Sequence, residues 1–259
     1  MNKYLLSTLL FFILKSGFSQ YYMPPGNGLF LTLSGGHSQY KESLINNLRN
    51  DGLGTSLGLS YGFQKNSLYH DIALSFNLGI LKNRYQMVNY YINVLPSFSY
   101  RLMKELKINQ LHAGCFVNYS SLQYVNENYD AQHNYWISHC DLGFTYLFKH
   151  QINPKLSLSI PISFPLIGVL SRPQANRQFV LNDPDLKIWD VIKRINNFNR
   201  FYIVGSDFFF IRTGMFLNFK LNNIRTFIIG YDFDFEQSRT SAKTQLVKNI
   251  ISVKYQLTK

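Results

Sequence analysis

Cysteine is scarce: the 259 residues hold two, at positions 115 and 140. Two thiols cannot build a zinc site alone, and no histidine spacing supplies the missing ligands, so no metal is expected. Charge is sparse as well. Asp, Glu, Lys and Arg make up 15% of the chain, where about 25% is usual for a soluble domain. Acids are scarcer than bases, 14 against 26, which leaves a net charge of +12. No Lys/Arg run is interleaved with stacking aromatics, so nucleic acid is not the expected partner. Contact of basic loops with anionic lipid headgroups or an acidic protein is preferred, beside plain solvation of those loops. No Gly-rich loop opens a helix in the way that cradles phosphates, and no cofactor is expected. Beyond the N-terminal segment, no stretch approaches the roughly 20 apolar residues that a membrane helix needs.

The start of the chain has a different character. Lys3 precedes an apolar run from Leu5 to Leu14, and small residues follow at Gly17 and Ser19. This is the order of an export signal, expected to span 1–19 with cleavage after Ser19. Lys15 closes the run too early for a membrane anchor. No cysteine lies near the cut, so a lipid anchor is not indicated. Residues 20–259 then form one domain.

What is abundant is aromatic content, at 16%, and strict alternation. From Leu53 to Phe63 one set reads Leu53, Thr55, Leu57, Leu59, Tyr61, Phe63, and the other Gly52, Gly54, Ser56, Gly58, Ser60, Gly62. A strand sends successive side chains to opposite faces, so one face is oily and the other small and polar. A soluble sandwich shows Lys and Glu to water, whereas Gly, Ser, Thr and Asn suit a crowded lumen. About ten such strands follow one another, with apolar sets at 29–33, 53–63, 68–80, 88–100, 111–119, 136–148, 156–164, 209–221, 227–235 and 247–257. Short connections, such as Lys65-Asn66 and Asn222-Asn223, alternate with longer ones at 39–50, 81–87, 125–133, 166–205 and 237–244. Strands that would run toward the short turns finish with outward aromatics: Tyr61 and Phe63, Phe98 and Tyr100, Tyr146 and Phe148, Phe219, and Tyr255. Such rings favour the headgroup level.

With these three patterns the chain resembles the small outer-membrane β-barrel proteins of Gram-negative bacteria. The resemblance is architectural, covers the mature chain and carries no catalytic motif. It is partial at the end, where Lys259 stands in place of a terminal aromatic. It implies an all-β, antiparallel transmembrane barrel of about ten strands in the bacterial outer membrane. Short turns and both chain ends would then face the periplasm.

Segment 166–205 is long for a loop and is expected outside the membrane. Asp183 and Pro184 can open a helix of about 184–197. Leu186, Trp189, Ile192 and Ile195 recur on one face of it. That face could plug the barrel, lie on the bilayer, dock a partner, or pack on the barrel's own rim.

Inward phase collects the charged candidates Asp71, Arg101, His112, His139, Asp141, Arg212, Asp232, Asp234, Lys248 and Lys254, with Lys220 at a strand end. Neighbouring strands hold such groups close enough for ion pairs across the lumen. Phe208, Phe210 and Phe216 also point inward and read as packing, which fills the bare glycine wall of residues 52–62. His139 and Asp141 share a face, with His112 on the preceding strand, and a His–carboxylate pair can do acid/base work. Ser120 and Ser138 have the wrong depth or phase to serve as nucleophile. Ser206 with Asp207, and His37 with Ser38, lie near the outer rim without specific spacing. Cys115 and Cys140 face outward on adjacent strands and are expected as free thiols. The expectation is a non-enzymatic accessory or scaffold subunit of an envelope complex, of the protein-export or outer-membrane-assembly type. Its partners are membrane lipid and other envelope proteins. A narrow solute channel and an outer-membrane hydrolase are the alternatives.

Overall fold

The computed structural model describes residues 27–42, 49–83, 85, 88–93, 95–106, 110–126, 135–172, 187–198, 200–203, 208–221, 225–239 and 243–258. The expected export signal lies outside them. The strands are β1 (Gly28–Glu42), β2 (Arg49–Lys65), β3 (Leu68–Asn83), β4 (Val88–Asn93), β5 (Ser97–Glu105) and β6 (Leu111–Asn126). They continue with β7 (Tyr135–Asn153), β8 (Leu156–Ser171), β9 (Arg200–Ile203), β10 (Phe208–Lys220), β11 (Thr226–Ser238) and β12 (Thr244–Thr258). One short helix, α1 (Ile188–Ile195), stands between β8 and β9.

Every pairing is antiparallel, β12 pairs β1, and β10 pairs β8, so the sheet closes. Twelve segments make ten staves. β4 and β5 both lie between β3 and β6, and β9 and β10 both run beside β8. Pro96 interrupts the first split stave, because it has no N–H for the ladder. Asn93 bridges that break: its side-chain oxygen accepts from the Asn77 backbone N–H at 3.0 Å, and its amide donates to the Ser121 carbonyl at 2.7 Å. The second split faces Pro161 and Pro165 of β8. Pairing with β10 runs up to Arg212 opposite Ser163 and resumes with β9 at Ile167 opposite Ile203. A bulge at Leu166 accompanies it, since Leu142 pairs Ile167 while Gly143 pairs Pro165.

Burial along the staves is inverted relative to a water-soluble protein. On β2, Leu57 and Leu59 are 56% and 46% exposed, whereas Ser56 and Ser60 are each 1% exposed. The oily face is outside. β7 has 19 residues; at about 3.3 Å each and a tilt near 40° it rises roughly 48 Å, about twice the ~25 Å apolar band of such barrels. The wall therefore projects beyond a bilayer. The tight turn at Asn66 and Ser67, with φ of 51° and 61°, joins β2 to β3. Outward aromatics gather at this end. Phe63 stacks on His70 at 4.5 Å, His70 hydrogen-bonds the Tyr100 hydroxyl at 2.8 Å, Tyr146 stacks on Phe164, and Arg225 stands over Tyr255. Tyr61 contacts Phe63 and Phe219 contacts Phe227. Phe98 and Phe148 share the same outward phase, opposite Leu74 and Leu111.

The interior is filled by two apolar layers. Phe30, Tyr69, Met103, Leu147, Phe216 and Ile228 close the end with the short turns. A larger layer toward the other end includes Tyr91, Phe116, Leu170, Phe208, Phe210 and Ile250. Backbone is thinned where rings press on it. A Cβ on Gly230 would stand 2.1 Å from the Phe216 ring, and one on Gly79 would stand 2.2 Å from the Tyr91 ring.

Segment 166–205 departs from its expected form. Residues 166–171 and 200–203 belong to the wall, and the helix is shorter than 184–197. The expected cap at Asp183 and Pro184, and Leu186, lie outside the described residues. The helix does not plug the bore; it packs against β7. Tyr119, outward on β6, donates to Asn196 Oδ1 at 2.7 Å and meets Phe198 edge-on. Ile195 is fully buried, whereas Trp189 is 69% exposed. The expected single apolar face is thus divided: six residues along a helix is a rotation of about 240°, which places these two side chains on different sides.

Candidate functional site

A polar belt runs between the two apolar layers, and alternation on β10, β11 and β12 builds it row by row. Phe216, Gly230 and Ser252 form one inward row, Arg212, Asp234 and Lys248 a higher one, and Phe210, Glu236 and Leu246 the next. Two charge clusters result. In the lower one, Arg101 Nη1 donates to Asp71 Oδ2 at 3.3 Å, with side chains 6% and 0% exposed. Lys254 interacts electrostatically with Asp71 and Asp232, and its ammonium stands 4.6 Å from the centre of the Phe216 ring. Ser252 donates to Asp232 at 3.4 Å.

In the upper cluster, Arg212 Nε lies 3.8 Å from Asp234 Oδ2, and its guanidinium stands 4.4 Å over Phe210. Lys248 interacts with Asp234 and Glu236. His139 Nδ1 bonds Asp141 Oδ2 at 2.5 Å, Asn118 donates to the same oxygen at 3.2 Å, and His139 Nε2 lies 3.9 Å from Glu236. The acids are Asp71, Asp141, Asp232, Asp234 and Glu236, and the bases beside them are Arg101, Arg212, Lys248 and Lys254. His139 brings these bases to five, equal in number to the acids.

The gap lined by Arg101, Pro161, Ser163, Arg212, Thr213, Asp232 and Asp234 holds about 10 Å³, which is about one water. Asp71, Asp141 and Asp234 each keep one carboxylate oxygen without a hydrogen-bond partner. Such packing suits ion pairs that lock staves together. An imidazole between two carboxylates can hold or pass a proton. Here its ring is 2% exposed and lies 5.6 Å from Phe208 and 6.1 Å from Phe210.

The structure thus brings Asp71, Arg101, Asp232 and Lys254 together, and likewise His139, Asp141, Arg212, Asp234 and Lys248. It leaves His112 apart. His112 pairs Leu147, while His139 pairs Ser120, eight residues along β6. Lys220 keeps the inward phase of Phe216 and Asn218 but is exposed at the strand end. Ser138 is outward and bonds Ser121, and Ser120 is inward within 3.5 Å of Ser97. His37 lies outward, 4.0 Å from Asp51, and Ser206 and Asp207 lie outside the described residues. Cys115 pairs Phe144 and Cys140 pairs Tyr119, so the thiols are offset along the wall and free. Sequence reasoning missed Glu236, although the phase of Asp232 and Asp234 extends to it. It also missed Asn118 and Asn93, and Arg172, which is 3% exposed and donates to Ser238 at 3.0 Å. Among the described residues, no cluster of His, Cys, Asp and Glu could hold a metal ion.

No sequence-family model matches the chain, and no curated protein matches it. Solved structures do. The outer-membrane protease OmpT of Escherichia coli superposes with a TM-score of 0.51 at 6% identity, covering 93% of this chain and 99% of that one. The β domain of the Bordetella autotransporter BrkA gives 0.45 at 8% identity, covering 89% and 99%. An outer-membrane channel of Pseudomonas putida F1 gives 0.41 at 9% identity, covering 93% and 98%. The fold is that of small outer-membrane β-barrels. At these identities the likeness shows the fold alone.

Proposed function

We propose that the protein is a non-conducting, non-enzymatic barrel of the bacterial outer membrane that serves as an integral scaffold subunit of an envelope complex. Protein export or outer-membrane assembly is the class of machine it suits. The observation that carries this reading is the filled bore. Two apolar layers and a paired charge belt occupy the interior, so the surfaces left for function are the outer wall and the segments beyond it. The alternation of short and long connections supports an orientation with both chain ends in the periplasm. His139 with Asp141 and Glu236 is the set a hydrolase would use, and its burial beneath Phe208 and Phe210 speaks against that role. The test is purification of the tagged chain from native envelopes in mild detergent. A particle of fixed stoichiometry with other envelope proteins is expected; recovery of this chain alone would overturn the proposal. Stepwise conductance in planar bilayers would favour the channel reading instead.

A further inference from the structure

The outer wall changes character over three consecutive rows on β6 to β9. The row Val117, Leu142, Ile167 and Ile203 is apolar and exposed, with Ile203 at 59%. The next outward row is Tyr119, Cys140, Val169 and Phe201. Above it, Ser121, Ser138 and Ser171 also point outward, yet they are 0%, 0% and 1% exposed. Serines on the outside of a barrel mark the end of its hydrocarbon-facing band, and here they are covered. Helix α1 packs against β7, and Asn196 and Phe198 beyond its C-terminus rest on Tyr119, one row below the serines. The helix therefore lies on the flank of the barrel, at the level where acyl chains give way to headgroups.

Its free side has the chemistry of that level. Trp189 and Lys193 are four residues apart and share a face, and Lys187 and Lys193 are exposed beside the 69% exposed Trp189. Phe201, 65% exposed, continues the surface onto the lipid-facing wall. Tryptophan is favoured at membrane interfaces, and a lysine stem lies along apolar surface while its ammonium reaches the headgroups.

We propose that α1 and β9 form a lipid-binding flank, with Trp189 and Phe201 seated at the acyl boundary and Lys187 and Lys193 on the phosphate of an anionic lipid. The occupant follows from place and charge: the helix end docks on Tyr119, in the outward row that Phe201 shares, and the charge of Lys187 and Lys193 is opposite to that of a phosphate. This flank is separate from the interior, and the inference stands whether or not the barrel belongs to a complex.

The test uses the full mature chain refolded into phosphatidylcholine vesicles, with and without phosphatidylglycerol, some brominated at shallow acyl carbons. The protein has two tryptophans; Trp136 is buried, and subtraction of a Trp189→Phe variant isolates Trp189. Trp189 should be quenched by shallow bromines, more so with phosphatidylglycerol. Lys187→Gln with Lys193→Gln should remove the preference for phosphatidylglycerol, about fivefold per lysine. Both lysines are exposed, and heat-modifiable gel mobility verifies that the variants fold. Water-like, unquenched Trp189 emission would overturn the proposal and leave a protein partner as the occupant of this face. Quenching indifferent to phosphatidylglycerol and to the lysines would overturn phosphate recognition.

Discussion

Removal of one member of the Asp71–Arg101 pair should cost far more stability than removal of both. The charges are 3.3 Å apart and nearly inaccessible. At an effective dielectric of about 20 their attraction is about 5 kcal/mol, and desolvation of the two ions offsets it by several kcal/mol each. The pair is therefore worth little net against an apolar filling of the same volume. Arg101→Met, however, leaves the Asp71 carboxylate buried without its guanidinium, and its other oxygen is already without a partner. A loss of about 3–5 kcal/mol is expected. Asp71→Leu alone leaves Arg101 beside Lys254 and should cost a similar amount. The double variant should recover most of the loss, because Lys254 still faces Asp232. The assay is reversible urea unfolding in lipid vesicles, read by heat-modifiable mobility and tryptophan emission. A single substitution costing under about 1 kcal/mol, or a double variant equal to the sum of the singles, would refute the reasoning.

Gly230→Ala should destabilise by about 1–3 kcal/mol through its clash with Phe216. Phe216→Leu should partly rescue it in the same urea assay. Phe216→Ala alone should cost about 3–5 kcal/mol by opening a cavity in the lower layer; stability within error of the native barrel would contradict the filled-bore account. Tyr119→Phe removes the bond to Asn196 and should loosen α1 by about 1 kcal/mol, read as faster proteolysis within residues 187–198 with the barrel intact. His139→Leu should leave three acids of the upper cluster short of a cation and lower the unfolding midpoint, whereas His139→Lys should restore much of it.

The alternation was legible because lipid rather than water faces the wall, so each stave carries its oily side in plain phase. That phase placed Asp71, Arg101, Asp232 and Lys254 in the interior. It broke down where the backbone does. The bulge at Leu166 shifts the outward set from Phe164 to Ile167, so residues 166–171 read as loop and Arg172 went unnoticed. Glu236 was legible by the same phase as Asp234 and was overlooked. Strand pairing, not periodicity, decides depth, which is why His112 read as a neighbour of His139. The seat of α1 could not be read at all. Its partners on β6 and β7 lie far away in sequence, and the i, i+3 spacing of Trp189, Ile192 and Ile195 drifts around an α-helix, so it does not define one stripe.

Spin labels placed singly along β12, at positions 250 to 255, test the central claim most directly, in a protein whose Cys115 and Cys140 are replaced. In lipid vesicles the labels at 251, 253 and 255 should be relaxed by oxygen dissolved in the bilayer, and those at 250, 252 and 254 by neither oxygen nor a water-soluble nickel chelate. Relaxation of the 251 and 253 labels by the nickel chelate would contradict a lipid-bathed wall.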